Sequence, residues 1–567
     1  MSIEDPYEKD REKTKGEAMH SIIRAHANVL CLTIIMAFIF ACATPPQPAS
    51  QPAPAEKRAE PAKSAPEKVA KPPSGPISLV HSFRGVAATF DPAIIDQARE
   101  LVFVKNVYEG LVETVPGGVD IRPLLAREWA ISPDRTGYTF KLRDDVVFHN
   151  GSPFDAEAAK VSYDRIKGIN KGRAFLMDHI KDYVVKDKFT FEITLKRPYP
   201  YFLEVVSRLL ISSPRALADN KTASDPWATQ WFGVNVAGTG PYKVGSFVKD
   251  SRIDLVKHDK YYRTWEPGTP DRVILLSNPD AQTALMLMQR GEVDMIAGVS
   301  TDLAEQAAKI PGIKILQQRP LSMQAITFNT ARKPLDDVRV RRAIQLAYDY
   351  DADVAFFKGF INQSRGPLPD GFPGADPSLP LFKRDLNKAK QLLAEAGYPN
   401  GGFAITYLGQ KDTSWVEFRG TNLQESLRPL GIEVKQVLVP WPQVVQMMNK
   451  LETSADMAIR IRAPLLGDPS SLLRDSFHSD AIGANNWTFY RDPELDAMID
   501  RVVTIADDSE RTQLLYQIQR RIGDQALALF VGVPLYTDPV REKVENVVYE
   551  FLDGVLPVRF FYVRVKS

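Results

Sequence analysis

Residues 121–165 read IRPLLAREWAISPDRTGYTFKLRDDVVFHNGSPFDAEAAKVSYDR, the most informative run in the chain. Tyr138, Phe140 and Leu142 alternate with Thr139, Lys141 and Arg143, the period of a strand with one buried face. Asn150-Gly151 is a turn pair, and Pro153 fixes the chain just beyond it. Asp155 precedes an alanine-rich run, where its carboxylate accepts from the free N–H groups of a helix start. The stretch predicts a strand, a tight turn and a capped helix inside a mixed α/β body.

The same punctuation extends in both directions. Residues 78–83, SLVHSF, predict a strand, and Asp91-Pro92 opens a helix-rich stretch ending in YEGLVE. Residues 188–195 predict a strand with Phe189, Phe191, Ile193 and Leu195 on one face. GTGPY, residues 238–242, starts a hairpin through 244–247 and 253–256. Residues 273–276 form the next expected strand, Asp280 caps a helix, Gly291 ends it, and 293–296 is again a strand. Past Ser322 helices and strands alternate. Asp336 is the expected cap of a helix through Ala347, and Asp385 caps one that stops at Gly397. Strands over 403–408, 432–439 and 457–461 are separated by helices, the first ending at Leu430 before Gly431. This β-α-β-α-β order implies a second α/β lobe, and after Pro534 the sequence returns to strand character.

A chain of 567 residues is too long for one ordinary core. A net charge of +1 and the lack of a basic stripe interleaved with aromatics give no case for nucleic acid. Cys31 and Cys42 are the only cysteines, so the body has neither disulfides nor thiolate metal sites. Residues 29–40, VLCLTIIMAFIF, form an apolar run too short for a span, which needs about 20 residues. With Arg24 and His26 before it, the run reads as the core of a signal peptide. Residues 1–18 are densely charged with both signs, which makes Met19 an alternative start. Residues 43–76 are rich in Pro, Ala, Lys and Glu and read as an extended tether reaching on the order of 100 Å.

Further matching pieces are YEGLV, GTGPY, GEVDMI, FNT followed by DDVRVRRAIQLAYD, DLNKAKQLLAEAGYPNG and NNWTFYRDPELDAMI. With the opening stretch, in this order and spacing, they resemble the family 5 extracellular solute-binding proteins, receptors of peptide and nickel ABC importers. The likeness covers nearly all of residues 77–567. FDAEAA, with Ala158-Ala159 where Asp-Val is commoner, is similar to the nickel-binding branch. The resemblance implies an α/β, two-lobed periplasmic-binding-protein fold of the large, cluster C type, with a ligand cleft between the lobes. It implies a lipoprotein signal peptide over 1–42, with Cys42 as the lipidated first residue, and the tether over 43–76. Phe40 departs from the small residue usual in such signals, which leaves ordinary cleavage near Ala43 as the main alternative and a retained, uncleaved anchor as the other. Lobe I is expected over 77–322, lobe II over 323–534, and a return to lobe I over 535–567. The implied role is a monomeric receptor, lipid-anchored on the extracytoplasmic face. It captures a short peptide or peptide-like carboxylate ligand by lobe closure and delivers it to the ABC permease subunits. No enzyme activity, cofactor or metal is expected. A nickel chelate, a sugar or an opine is the alternative ligand within the family; a peptide hydrolase or a sensory adaptor is the alternative outside it.

The motifs HExxH, GxSxG and GxxxxGK[ST] do not occur, and residues 238–240 read as a turn rather than a phosphate loop. His149 reads as part of the signature turn, and the seven histidines show no metal-ligand spacing. Arg460 and Arg462 alternate with Ile459 and Ile461, so one of them can face the cleft and hold a carboxylate bidentately. The resemblance favours Arg462. In peptide-binding relatives an aspartate a few residues before an acidic-Pro pair holds the ligand's amino terminus. Here the pair is Asp468-Pro469, and the anchor position near Leu465 holds no aspartate. Asp468 is then a substitute anchor or a helix cap. In nickel-binding relatives arginines lie where Arg173 and Arg208 fall, whereas their tryptophan and tyrosine become Ala463 and Gly467, and His478 falls near their histidine. Trp487 and Tyr490 are candidate pocket walls, a pattern that core aromatics share. The expected ligand-binding set is Arg462, Arg173, Trp487, Arg208, Asp468 and Tyr490.

Overall fold

The computed structural model describes residues 75–566 apart from 84–88, 96–97, 116–117, 119, 278–279, 464–465, 506 and 551–556. The expected signal segment with Met19 and Cys42, the expected tether up to residue 74, and Leu465, the position where the resemblance puts the amine anchor, lie outside the described residues.

Strand Ser78–Phe83 lies inside a seven-stranded sheet, parallel to Met295–Ile296 on one side and to Arg272–Ser277 on the other. The hairpin Tyr242–Val248 and Arg252–Lys257 extends one edge, and Tyr536–Arg541 with Ile313–Gln318 the other. Leu79, Val273 and Leu275 meet Leu101, Val104 and Val107 of helix Ala98–Val107 in one buried cluster.

The stretch that opened the sequence builds a separate four-stranded antiparallel sheet. Strand Gly137–Leu142 buries Tyr138, Phe140 and Leu142, as the alternation requires. Phe191, Ile193 and Leu195 of strand Thr190–Leu195 join them beneath helix Ala156–Ile169. Asp155 caps that helix, accepting from the Ala158 N–H at 3.1 Å. The strand begins at Thr190 rather than Lys188, because the Asp187 carboxylate accepts from the Phe189 N–H at 2.9 Å and closes a tight turn.

His149 shows what the signature turn does. Its N–H donates to the Gly238 carbonyl at 2.8 Å, and its Nε2 sits 3.0 Å from the Gly240 carbonyl. Burial pushes this imidazole down to about 3, so it is neutral. The Gly238–Gly240 turn in turn presses on the end of helix Ala98–Val107. A Cβ at Gly238 would lie 2.1 Å from the Val107 carbonyl oxygen, and one at Gly240 2.6 Å from its carbon. These glycines permit backbone contact.

The second lobe is a five-stranded sheet in the order Ile432–Val439, Phe403–Gln410, Met457–Arg462, Met323–Phe328, Ala528–Val531. Helix Val338–Ala347 covers it, capped by Asp337 rather than Asp336: Asp337 Oδ1 accepts from the Arg339 N–H at 2.8 Å. Helix Ser414–Leu427 ends through a 3-10 turn at Gly431, whose φ of 70° suits glycine.

The chain passes from the seven-stranded to the five-stranded sheet between Gln318 and Met323, and returns between Val531 and Tyr536. The return is pinned by Ile361–Asn362, which pairs antiparallel with Val533–Pro534.

Candidate functional site

A cavity of about 480 Å³ opens where the two sheets are joined. Gly298 to Asp302 and Tyr536 line it from the first lobe; Gln324, Phe356, Phe357, Trp415 and Ile461 line it from the second. Both crossings contribute, through Pro320 to Ser322 and Val533 to Leu535. The volume lies within the range of about 300–1,000 Å³ usual for small-ligand pockets.

Two helices present their first turns to this space. Helix Thr301–Ala308 does so through Ser300, Thr301 and Asp302. Helix Ser414–Leu427 does so through Ser414 and Trp415, and its N-cap Thr413 makes no side-chain capping bond. Free N–H groups and the positive end of the dipole favour an anionic group at the second of these starts, whereas the first is capped by the Ser300 hydroxyl, which accepts from the Leu303 N–H at 3.4 Å, and already carries Asp302. At the rim, Lys358 Nζ bridges the lobes by reaching Asp302 and Glu305, each at 2.6 Å. These side chains are exposed, so the bridge contributes little.

The aromatic wall is organised from behind by Arg419, which is fully buried. Its guanidinium lies 5.5 Å from the Trp415 ring centre and 5.4 Å from that of Phe357. It donates to Gln324 Oε1, to the Gly532 carbonyl at 2.6 Å, and through Nε to Asp353 at 3.3 Å. One cation thereby ties two pocket aromatics, a pocket amide and the return crossing together. Burial pushes the Asp353 carboxyl up, against the pull of Arg419. The space beyond, lined by Tyr350, Asp353 and Phe382, is only about 10 Å³. On the opposite wall the Gly298 N–H donates to buried Asp538 at 2.6 Å, and burial pushes that carboxyl up to about 6.

Residues 120–484 match the family model described as bacterial extracellular solute-binding proteins, family 5. The chain belongs to that family. It is 29% identical over 494 residues to heme-binding protein A of Haemophilus influenzae, covering 81% of this chain and 87% of that protein. It is 26% identical over 472 residues to the probable D,D-dipeptide-binding periplasmic protein DdpA of Escherichia coli, covering 81% and 89%. The solved structure of HbpA2 from Haemophilus parasuis superposes with a TM-score of 0.78 at 26% identity, covering 86% of this chain and all of that one. The fold is accordingly that of a two-lobed periplasmic binding protein.

None of the six residues singled out from the sequence lines the cavity of this solute-binding protein. On strand Met457–Arg462 the period of two sends Ile461 into the cavity and Arg460 and Arg462 to the other face. There Arg462 is ion-paired with Asp475, and its Nη1 lies 3.5 Å from Asn485 Oδ1. Arg460 donates to the Asn485 carbonyl and stacks 4.5 Å over Trp487; burial pushes it down to about 9. Trp487 is buried among Leu408, Val444 and Met448. Tyr490 packs half-buried against a helical cluster, with its hydroxyl 3.4 Å from Asp492.

Asp468 caps helix Pro469–Phe477, accepting from the Ser470 N–H at 2.8 Å, and also accepts from the Tyr199 hydroxyl at 2.8 Å. Burial pushes its carboxyl up. Arg208 is buried against Glu550 at 3.0 Å and Glu204 at 3.8 Å. Arg173 is buried just before the 3-10 turn Ala174–His179. His478 accepts from the Asp480 N–H at 3.1 Å. The cavity residues that sequence reasoning passed over are Phe357, Trp415 and Gln324, with Arg419 behind them. The readable signal was Trp415 and Arg419, four apart on one helix face, with a buried charge among apolar positions.

Proposed function

We propose that this protein captures a short peptide or peptide-like, carboxylate-bearing solute between its lobes and hands it to the permease of an ABC importer. The observation that carries the reading is the 480 Å³ cavity built jointly by both lobes and both crossings. A solute seated there touches both lobes and favours their closure about the crossings. Its apolar body lies along Trp415, Phe357 and Ile461. Its carboxylate faces the uncapped first turn at Ser414 and Trp415, where backbone N–H groups accept no competition from Thr413. The likeness to a D,D-dipeptide-binding relative supports a ligand of this class.

The lobe limits that serve this reading are 77–322 and 535–567 for the first and 323–534 for the second. We further assign the N-terminal segment to export and a lipid anchor at Cys42, so that the tether leaves a monomeric receptor mobile at the extracytoplasmic membrane face.

Isothermal titration with short peptides tests the assignment. Trp415→Ala is expected to weaken binding at least tenfold, and replacing the ligand's carboxylate by an amide to do the same. Arg462→Ala, which breaks the pair with Asp475 on the other strand face, is expected to leave affinity within about twofold. Binding that survives both the Trp415 change and amidation would sink the placement.

A further inference from the structure

We propose that Tyr199 and Glu204 form a latch that holds loop 466–468 of the second lobe against the first and sets how far the protein closes without ligand. Leu466 belongs to the same buried cluster as Tyr199, Phe202 and Val205 of the first lobe. The next residue, Gly467, donates its N–H to the Glu204 carboxylate, 2.7 and 2.6 Å from its two oxygens. Asp468 then receives the Tyr199 hydroxyl at 2.8 Å. Three consecutive residues of one lobe are thus received by the other.

The receiving side is braced. His179 stacks on the Tyr199 ring at 4.0 Å with the planes 6° apart. Glu204 is buried on helix Phe202–Arg208, where Arg208 stands 3.8 Å away and is itself tied to Glu550, which also holds Lys105 at 3.0 Å. The loop side is fitted to it. A Cβ at position 467 would lie 3.2 and 3.3 Å from the two Glu204 oxygens, so the close approach suits glycine. Hydrogen bonds to a buried carboxylate contribute more than exposed ion pairs do. These contacts therefore outweigh the exposed Lys358 bridge. None of the latch groups lines the cavity. Its effect falls on the open–closed equilibrium and so on the affinity for any solute by a common factor.

The test uses the full chain without added ligand, so its failure leaves the reading of the cavity standing. Hydrogen–deuterium exchange reads the Gly467 amide directly, and small-angle scattering reads lobe separation. The wild-type amide is expected to exchange at least tenfold slower than an unprotected glycine amide. Glu204→Gln and Tyr199→Phe should each accelerate it threefold or more and raise the radius of gyration, while Lys358→Ala does neither. Tyr199→Phe keeps the stacked ring, so it separates loss of the latch from loss of the fold, which a thermal melt checks. A Gly467 amide unprotected in the wild type, or unchanged in both latch variants, overturns the proposal.

Discussion

Arg419 concentrates the chemistry of the site in one side chain. Its charge is removed from water and answered by Asp353, Gln324 and a carbonyl, while its plane backs Trp415 and Phe357. Arg419→Met leaves Asp353 buried without its cation, which costs on the order of 3–5 kcal/mol. Urea unfolding should show that loss, and Arg419→Met with Asp353→Leu should recover most of it. A single variant as stable as wild type would show that the pair does not brace the pocket. Glu109 offers a second residue-scale test. It is buried, accepts from Tyr261, Tyr262 and Thr239, and burial pushes it from 4.5 up to about 7. The folded protein therefore holds this proton more tightly than the unfolded chain does. The stabilisation is complete below pH 4.5 and is lost as pH rises through 7, a change on the order of 3 kcal/mol. Glu550, pushed down to about 2, adds nothing in that window. Because buried histidines such as His149 gain stability over the same range, the readout is the difference: from pH 5 to 7.5 the wild-type urea midpoint should lose ground to that of Glu109→Gln, and parallel profiles would contradict the assignment.

At the scale of elements, residues that repeat or punctuate were legible and residues that face a pocket were not. The strand at 432–439 and the caps Asp155, Asp280 and Asp385 follow from alternation and capping chemistry alone. Asp336 misled by one position because Asp337 beside it carries the same side chain, and it is Asp337 that caps. Arg462 shows the deeper limit. Strand period tells that Ile461 and Arg462 face opposite ways, but not which face meets the cavity; that depends on how strand Met457–Arg462 sits against the first lobe. A salt partner such as Asp475 is equally invisible before the fold brings it near. The glycines of the 238–240 turn give an element-scale prediction. Gly240→Ala drives a methyl into the Val107 backbone, so it should cost about 1–3 kcal/mol in urea unfolding. A neutral effect would mean that the turn does not press on that helix end.

For the whole molecule, two lobes joined by two crossings share one cavity, and the loop at 466–468 meets the first lobe away from it. Under the two proposals, capture and closure fall to different residues, the first to Trp415 and its neighbours and the second to Tyr199 and Glu204. The two-lobed architecture was readable because element order carries it. The solute was not, because the walls come from segments far apart in sequence. Native mass spectrometry of the full chain after incubation with a mixture of short peptides puts capture in this cavity to the test. A one-to-one complex with a few carboxylate-bearing peptides is expected, released on gentle activation and lost in Trp415→Ala. A chain that retains no peptide, or that retains the same peptides with Trp415 replaced, would contradict it.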